Sequence, residues 1–540
     1  MLAALKQPRT VVLAVAALVA LFFSATLRTY PAPSCDETGY GASAVALRDH
    51  GRVDWSLLLP AGDPFGRDAN MAAHGRLYAL GLAAVLQLFG VSLWAARAFS
   101  VLGWALAALL TYHIGARIFN RLTGAAAALL FATTTKALLT AHTARPETWV
   151  TTAALLAVWA ALALLQSERR ALLPAAGVGA LAVLPGDVHG NGFAITAAIG
   201  LVVLIRLGAG QKRWQELIAF GGGAFLAGAL WALLHLGASV RDLGQLFFYT
   251  TFAESGESLS VAGRLLAFVE WLRLTFWVAG GPLSLLELLL AVAGAAFGLR
   301  RGGSARMLSA IALLSLGVFA AGYSQRFVQY ALLWSPFWFI LGAGALRQFA
   351  ATVPGPRWRQ MGFVALASAL LAAQLAGDAW LVYRYRDGRY DETFNALAGT
   401  VPSDARVIAD TTWWWALRDG RAFMADEYVF LLGQTRETVV RSYLGAPTAA
   451  TPAAALPALL DQLAPDYLVI DRATGCNQEP GAEWAALEAY ARRRCELVDE
   501  IAGAWVGDPG RATSQFAQVS SVFQCAAPEG GAALQSPTSR

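Results

Sequence analysis

Apolar residues come along this chain in long blocks, separated by short polar breaks. Stretches at 10–28, 97–116, 122–140, 149–166, 171–187, 192–207, 215–236, 277–298, 307–323, 330–348 and 361–383 are almost free of charge. As helices, blocks of this length cross about 30 Å of hydrocarbon. They predict eleven membrane spans. The segment 77–93 is also apolar, but we read it as a helix lying on the outer surface. Counted as a span, it would turn Arg117 and Arg121 outward, against the rule that Lys and Arg gather on the cytoplasmic side.

The remaining loops fit that register. Those assigned to the cytoplasm hold Arg169 and Arg170; Arg206, Lys212 and Arg213; Arg300, Arg301 and Arg306; and Arg347, Arg357 and Arg359. The outer loops are 29–96, 141–148, 188–191, 237–276 and 324–329. Lys6 and Arg9 precede the first block. It reads as a retained span with a cytoplasmic N-terminus rather than a cleaved signal, because it is long and Ala32-Pro33-Ser34-Cys35 lacks a lipoprotein leucine. An odd number of spans leaves the C-terminus outside.

After Tyr383 the pattern changes to short periods. Ala405–Asp410, Asp466–Asp471, Glu496–Ile501 and Val519–Cys525 read as strands; Ala454–Leu463 and Ala482–Arg494 read as helices. The expected architecture is a polytopic α-helical membrane domain, 1–385, followed by a small external α/β domain, 386–525. A Gly/Ala/Ser/Pro-rich tail, 526–540, is expected to be disordered.

Composition agrees. Hydrophobic types make up 57% of the 540 residues and charged types 14%, against about 25% charged in soluble domains; mean hydropathy is +0.50. The net charge of +5 orients loops. No basic run interleaved with aromatics points to nucleic acid. Cys35, Cys476, Cys495 and Cys525 all fall outside the spans. Pairing of Cys476 with Cys495, pairing of Cys495 with Cys525, and free thiols all remain open. The Ala/Leu/Arg-rich usage fits a bacterium, so the expected location is its plasma membrane, with "outside" the periplasm or cell exterior.

Four polar clusters interrupt this background: Asp36-Glu37, Arg145-Pro146-Glu147, His189-Gly190-Asn191-Gly192, and Ser324-Gln325-Arg326. Each has a plain reading alone. The acids could cap a helix, the Arg-Pro-Glu could be a helix start, the His-Gly-Asn-Gly a tight turn, and Arg326 a snorkelling side chain. Yet the topology, drawn mainly from the inner loops, puts all four on the outer face, and ionisable groups at membrane depth are costly and usually functional. A carboxylate there can take a proton from an acceptor. A guanidinium can hold a phosphate. The combination suits transfer of a group from a lipid phosphate, the natural donor where no nucleotide is supplied.

An Asp-Glu pair just after the first span resembles the GT-C superfamily of polyprenyl-phosphate-sugar-dependent glycosyltransferases, near the protein O-mannosyltransferases and aminoarabinose lipid A transferases. HGRLYALGLAAVLQLFGVSLWAARAFSVL (74–102), RIFNRLTGAAAALLFATTTKALLTAHTARPETW (117–149) and QRFVQYALLWSPFW (325–338) carry the rest of the likeness, including an Arg opening the second span. Two departures stand out. Gly75-Arg76 replaces a family Pro-Pro, and Ala73-His74 replaces a Glu-Lys pair that helps hold phosphate.

The resemblance implies an inverting transfer to an extracytoplasmic lipid, glycan or protein. Asp36 would be the base, Glu37 would position the acceptor or a cation, and Arg145, Arg326 and His74 would hold the donor phosphate. Glu147, His189 and Asn191 would support them. Relatives differ in needing a divalent cation, so Mg or Mn stays open. The rival is a lipid-linked sugar flippase, which would need charged groups nearer the bilayer midplane.

Overall fold

The computed structural model describes residues 20–58, 76–167, 171–209, 214–235, 261–278, 281–322, 328–384, 389–429, 456–471, 482–503 and 518–526, without 25, 30, 32 and 54, together with isolated positions 10, 13, 17 and 386. Of the predicted features, His74, Arg326, Cys476, most of the loop 237–276 and nearly all of the tail lie outside these residues.

Helix α1 (Cys35–His50) opens on Ser34. Next come α2 (Arg76–Phe89), α3 (Leu93–Ile118), α4 (Arg121–Ala132), α5 (Thr135–Ala141), α6 (Glu147–Gln166), α7 (Leu172–Val188), α8 (Phe193–Gly208) and α9 (Trp214–His235). The membrane part continues with α10 (Val261–Arg273), α11 (Gly281–Arg301), α12 (Gly303–Gly322), α13 (Ser335–Ala350) and α14 (Pro356–Arg384). Among the described residues seven helices are long and apolar enough to cross a membrane, or eight if the bent pair α4 and α5 forms one span. The prediction of eleven is not reached on that criterion. At 17 and 16 residues, α7 and α13 are short, and the first block is described only in part. The apolar helix α2 has 14 residues, too few to cross.

One predicted span differs in shape. The block 122–140 is not a straight helix: α4 and α5 meet at a 58° bend across Thr133 and Thr134. Hydroxyls that bond locally compete with the helix ladder, and both threonines sit in a polar network. Thr133 Oγ1 donates to Gln374 Oε1 at 2.9 Å, and Thr134 Oγ1 to Glu287 Oε1 at 2.8 Å. Gln374 Nε2 donates to that same glutamate oxygen at 2.7 Å. Lys136 pairs with Glu287, donates to Ser284 Oγ at 2.9 Å, and lies 4.6 Å from the Phe276 ring centroid. Thr135 reaches Asp378 at 3.3 Å. This network ties α5 to α11 and α14.

The C-terminal part begins with α15 (Tyr390–Thr400), which pattern alone did not predict. It then builds β1 (Arg406–Ala409), β2 (Ala422–Ala425), α16 (Leu456–Leu463), β3 (Tyr467–Asp471), α17 (Ala482–Arg494), β4 (Cys495–Gly503) and β5 (Gln518–Cys525). The sheet order is β2-β1-β3-β5-β4. The first three strands run parallel, and β5 is antiparallel to β3 and β4. The four predicted strands and two predicted helices are present; β2 was not foreseen. A disulfide joins Cys495 to Cys525 across paired positions. Cys35 is disulfide-bonded too, so neither the Cys476–Cys495 pairing nor free thiols at these three positions holds.

This domain rests on the membrane part beside α1. The Ala425 amide donates to the Leu58 carbonyl at 2.8 Å, and the Tyr390 amide to that of Arg28 at 3.3 Å. Arg418 donates to the Val91 carbonyl at 2.7 Å. Gly41 faces the Trp415 ring so closely that a Cβ there would collide with it.

Candidate active site

The chain brings three of its four polar clusters together. Ser34-Cys35-Asp36-Glu37 starts α1 as a serine-to-glutamate capping pair, with the Ser34 amide donating to Glu37 Oε2 at 3.0 Å. The same carboxylate is gripped from α3, where Arg97 donates Nε to Oε1 and Nη2 to Oε2, each at 2.8 Å. A fourth donor is the Ala144 amide, 2.7 Å from Oε1. Arg97 also donates to the Leu27 and Pro31 carbonyls at 3.0 Å and lies over the Tyr390 ring, 5.1 Å from its centroid. Glu37 and Arg97 are wholly buried.

Glu37 therefore does not share a cleft with Asp36. The expectation that it positions an acceptor or a cation is corrected: its oxygens are filled by four donors. What it does is tie α1 to α3 and to the turn carrying Arg145.

Arg145 follows Ala144 and is buried, as is Glu147 at the start of α6. Its Nη2 donates to Glu147 Oε1 at 2.7 Å and its Nε to the same oxygen at 3.1 Å. Its Nη1 pairs with Asp36 Oδ2. The Asp36 side chain is 36% exposed against 5% for Arg145, so of these two acids only Asp36 opens to solvent. Arg145 with Asp36 and Glu147 gives a local formal charge of −1.

The third cluster joins through Tyr40, one turn beyond Asp36 on the same face of α1. Its hydroxyl lies 2.9 Å from His189 Nε2, and its ring meets Tyr78 edge-on, centroids 5.4 Å apart. The Asn191 amide donates to His189 Nδ1 at 3.2 Å. Burial holds the Tyr40 phenol well above its ordinary range, with the Arg145 charge acting the other way. Tyr330, from the 3₁₀ turn Val328–Leu333, interacts with Arg145, Glu147, Asp36 and the Asn191 side chain.

The model of the dolichyl-phosphate-mannose-protein mannosyltransferase family matches residues 73–235. In structure the chain resembles ArnT from Cupriavidus metallidurans bound to undecaprenyl phosphate, with 14% identity, 95% of this chain and 97% of that chain covered, and a TM-score of 0.61. The apo ArnT matches equally well, at 15% identity with the same coverage and TM-score. The oligosaccharyltransferase AglB from Archaeoglobus fulgidus, in complex with an inhibitory peptide and a dolichol-phosphate, covers 86% of this chain and 69% of its own at 13% identity, with a TM-score of 0.47. No curated protein matches in sequence. The chain shares the fold of ArnT over 95% of its length.

Within this fold no three His, Cys, Asp or Glu side chains converge among the described residues. Glu37 is committed to Arg97, and Asp36 and Glu147 to Arg145. Among the described residues that donor set does not form a metal cage. Sequence reasoning missed Tyr40 and Tyr330, and it met Arg97 only as a feature of the GT-C resemblance. For Tyr40 a signal existed: it stands four residues after Asp36. The network around Lys136 also went unread, although Lys136, Glu287 and Asp378 are lone charges inside predicted spans.

Proposed function

We propose that the protein is an integral-membrane glycosyltransferase that moves a sugar from a polyprenyl-phosphate carrier to an extracytoplasmic acceptor, a lipid, a glycan or a protein. The observation that carries the reading is the Asp36–Arg145–Glu147 set: one partly exposed carboxylate against one buried guanidinium, which a second, buried carboxylate orients. The fold shared with ArnT supports it.

The acceptor hydroxyl or amine gives its proton to Asp36 as its heteroatom attacks C1 of the sugar. The C1–O bond breaks on the opposite face, so the anomeric centre inverts, and the phosphate departs with the lipid. Arg145 takes the phosphate in place of Asp36, which frees the carboxylate for its role as base. Because the described charges sum to −1, further cations are needed around the phosphate, and Arg326 and His74 are proposed for that role. Glu147 keeps the guanidinium fork aimed, and His189 and Asn191 support the wall beside it. The protein is read as lying in a bacterial plasma membrane, N-terminus in the cytoplasm and C-terminal domain outside. A requirement for magnesium or manganese is tested by chelation and add-back.

The deciding experiment incubates the full-length protein in lipid vesicles with radiolabelled polyprenyl-phosphate sugars and candidate acceptors. The reading expects free polyprenyl phosphate to appear in step with acceptor glycosylation. A flippase would move the lipid and release none.

A further inference from the structure

We infer that Tyr40 is a hydrogen-bond donor to the phosphate of the lipid carrier, and that His189 contributes to phosphate binding by holding Tyr40. This rests on the transferase reading above.

His189 caps the 3₁₀ turn Gly190–Gly192. That turn packs against the end of α7 so tightly that a Cβ on Gly192 would overlap the Pro185 carbonyl, which fixes the backbone position of His189. Within the turn, the Asn191 amide donates to His189 Nδ1 at 3.2 Å. An imidazole nitrogen that accepts carries a lone pair, so the ring proton sits on the other nitrogen. The 2.9 Å contact to Tyr40 then runs in one direction, from Nε2–H to the phenol oxygen.

Two consequences follow. The phenol proton is not used on the histidine and goes to a different acceptor. A neighbouring Nε2–H donor also strengthens the phenol as a donor, because bonds in a chain polarise one another. The phenol stays protonated, since burial raises its pKa. Its oxygen lies within electrostatic reach of Arg145 and Asp36, and Asp36 and Tyr40 share a helix face. A phosphate gripped by Arg145 in place of Asp36 would meet this neutral donor at the same point. A fixed dipole aimed at a leaving group that gains charge helps the step without reorganising.

The test uses undecaprenyl phosphate as the probe and full-length protein in detergent micelles. Binding affinity is measured for the wild type, Tyr40→Phe, His189→Ala, His189→Gln and the double variant Tyr40→Phe/His189→Ala, with thermal unfolding recorded for each. A lost hydrogen bond to a charged group predicts about tenfold weaker binding for Tyr40→Phe. His189→Ala should match it. His189→Gln, whose amide N–H replaces Nε2–H, should recover most of the affinity, and the double variant should be no weaker than Tyr40→Phe alone. Unchanged affinity in Tyr40→Phe overturns the donor role. Additive losses in the double variant overturn the claim that His189 works through Tyr40. If Tyr40→Phe fails to fold, equal losses in the Ala and Gln variants of His189 overturn the inference. If the wild type does not bind undecaprenyl phosphate at all, the transferase reading itself fails, a result distinct from a defect confined to Tyr40→Phe.

Discussion

Glu37 and Arg97 form a bidentate ion pair, two N–H bonds of 2.8 Å between wholly buried side chains, and Asp36 next to them turns outward to Arg145. Adjacent acids on one helix thus do different work, because a one-residue step rotates the side chain by about 100°. The buried acid holds α1, α3 and the 144–147 turn in register, while the partly exposed acid pairs with Arg145.

Breaking the buried pair should damage folding and turnover together. Arg97→Met leaves an uncompensated carboxylate and should cost about 3–5 kcal/mol of stability. Arg97→Lys should rescue little, since an ammonium cannot reproduce the planar fork. Glu37→Gln, which keeps an acceptor for the Ala144 amide, should be milder. Thermal unfolding in detergent, run beside turnover, checks this; an Arg97→Met protein that melts like the wild type would show the pair to be dispensable.

Asp36→Asn should behave in the opposite way. Turnover should fall by ~10²–10⁴ while the melting temperature stays close to wild type and undecaprenyl phosphate binds at least as tightly, because the competing carboxylate is gone. Turnover within a few-fold of wild type would remove Asp36 as the base. Arg145→Lys keeps the charge but loses the fork that reaches Asp36 and Glu147, and it should weaken donor use more than acceptor use. Initial rates against donor concentration separate the two.

Much of this architecture is readable from pattern because its period is coarse. A helix crossing lipid must be apolar over its whole length, so most of the blocks recur as helices. Strands β3, β4 and β5 alternate or run apolar between turns, and they too were legible. Strand β2, AFMA, carries little strand preference of its own; its parallel pairing with β1 makes it a strand. The bend at Thr133-Thr134 is likewise tertiary, set by partners as distant as Glu287 and Gln374. The convergence of Asp36, Arg145, Glu147 and His189 was foreseen through topology alone, which puts clusters on one face but says nothing of pairing. That is why Glu37 was expected to position the acceptor or a cation rather than to pair with Arg97, and why Tyr40 was passed over.

In the C-terminal domain, Tyr490 donates to Asp461 Oδ1 at 2.9 Å; burial, aided by that carboxylate, pushes its phenol up to about 12. A folded pKa above the unfolded value, here 10.0, means the contribution is fully present below pH 10. It is lost as pH rises through about 12. Tyr490→Phe should therefore be less stable than wild type below that window, by about 1 kcal/mol for one hydrogen bond, and the gap should close across it. Amide exchange at β3 and β4 in the full-length protein reads the difference. A gap that stays constant with pH would mean the phenol does not titrate with folding.

The pair Lys136–Glu287 offers a test of what holds the broken helix. Both groups sit inside the membrane domain, and Glu287 also accepts from Thr134 and Gln374. Lys136→Met strands a carboxylate in a low-dielectric interior and should destabilise the protein by about 3–5 kcal/mol. Lys136→Met/Glu287→Gln removes both charges and keeps an acceptor for Thr134, so most of the loss should return. Because α5 leads straight into the turn that carries Arg145, the single variant should also lower turnover, and the double variant should restore it. Thermal unfolding and turnover of the single variants and the double variant decide the matter. If the double variant is as unstable as the sum of the singles, the two residues act independently, and the bend at Thr133-Thr134 is held by something other than their pairing.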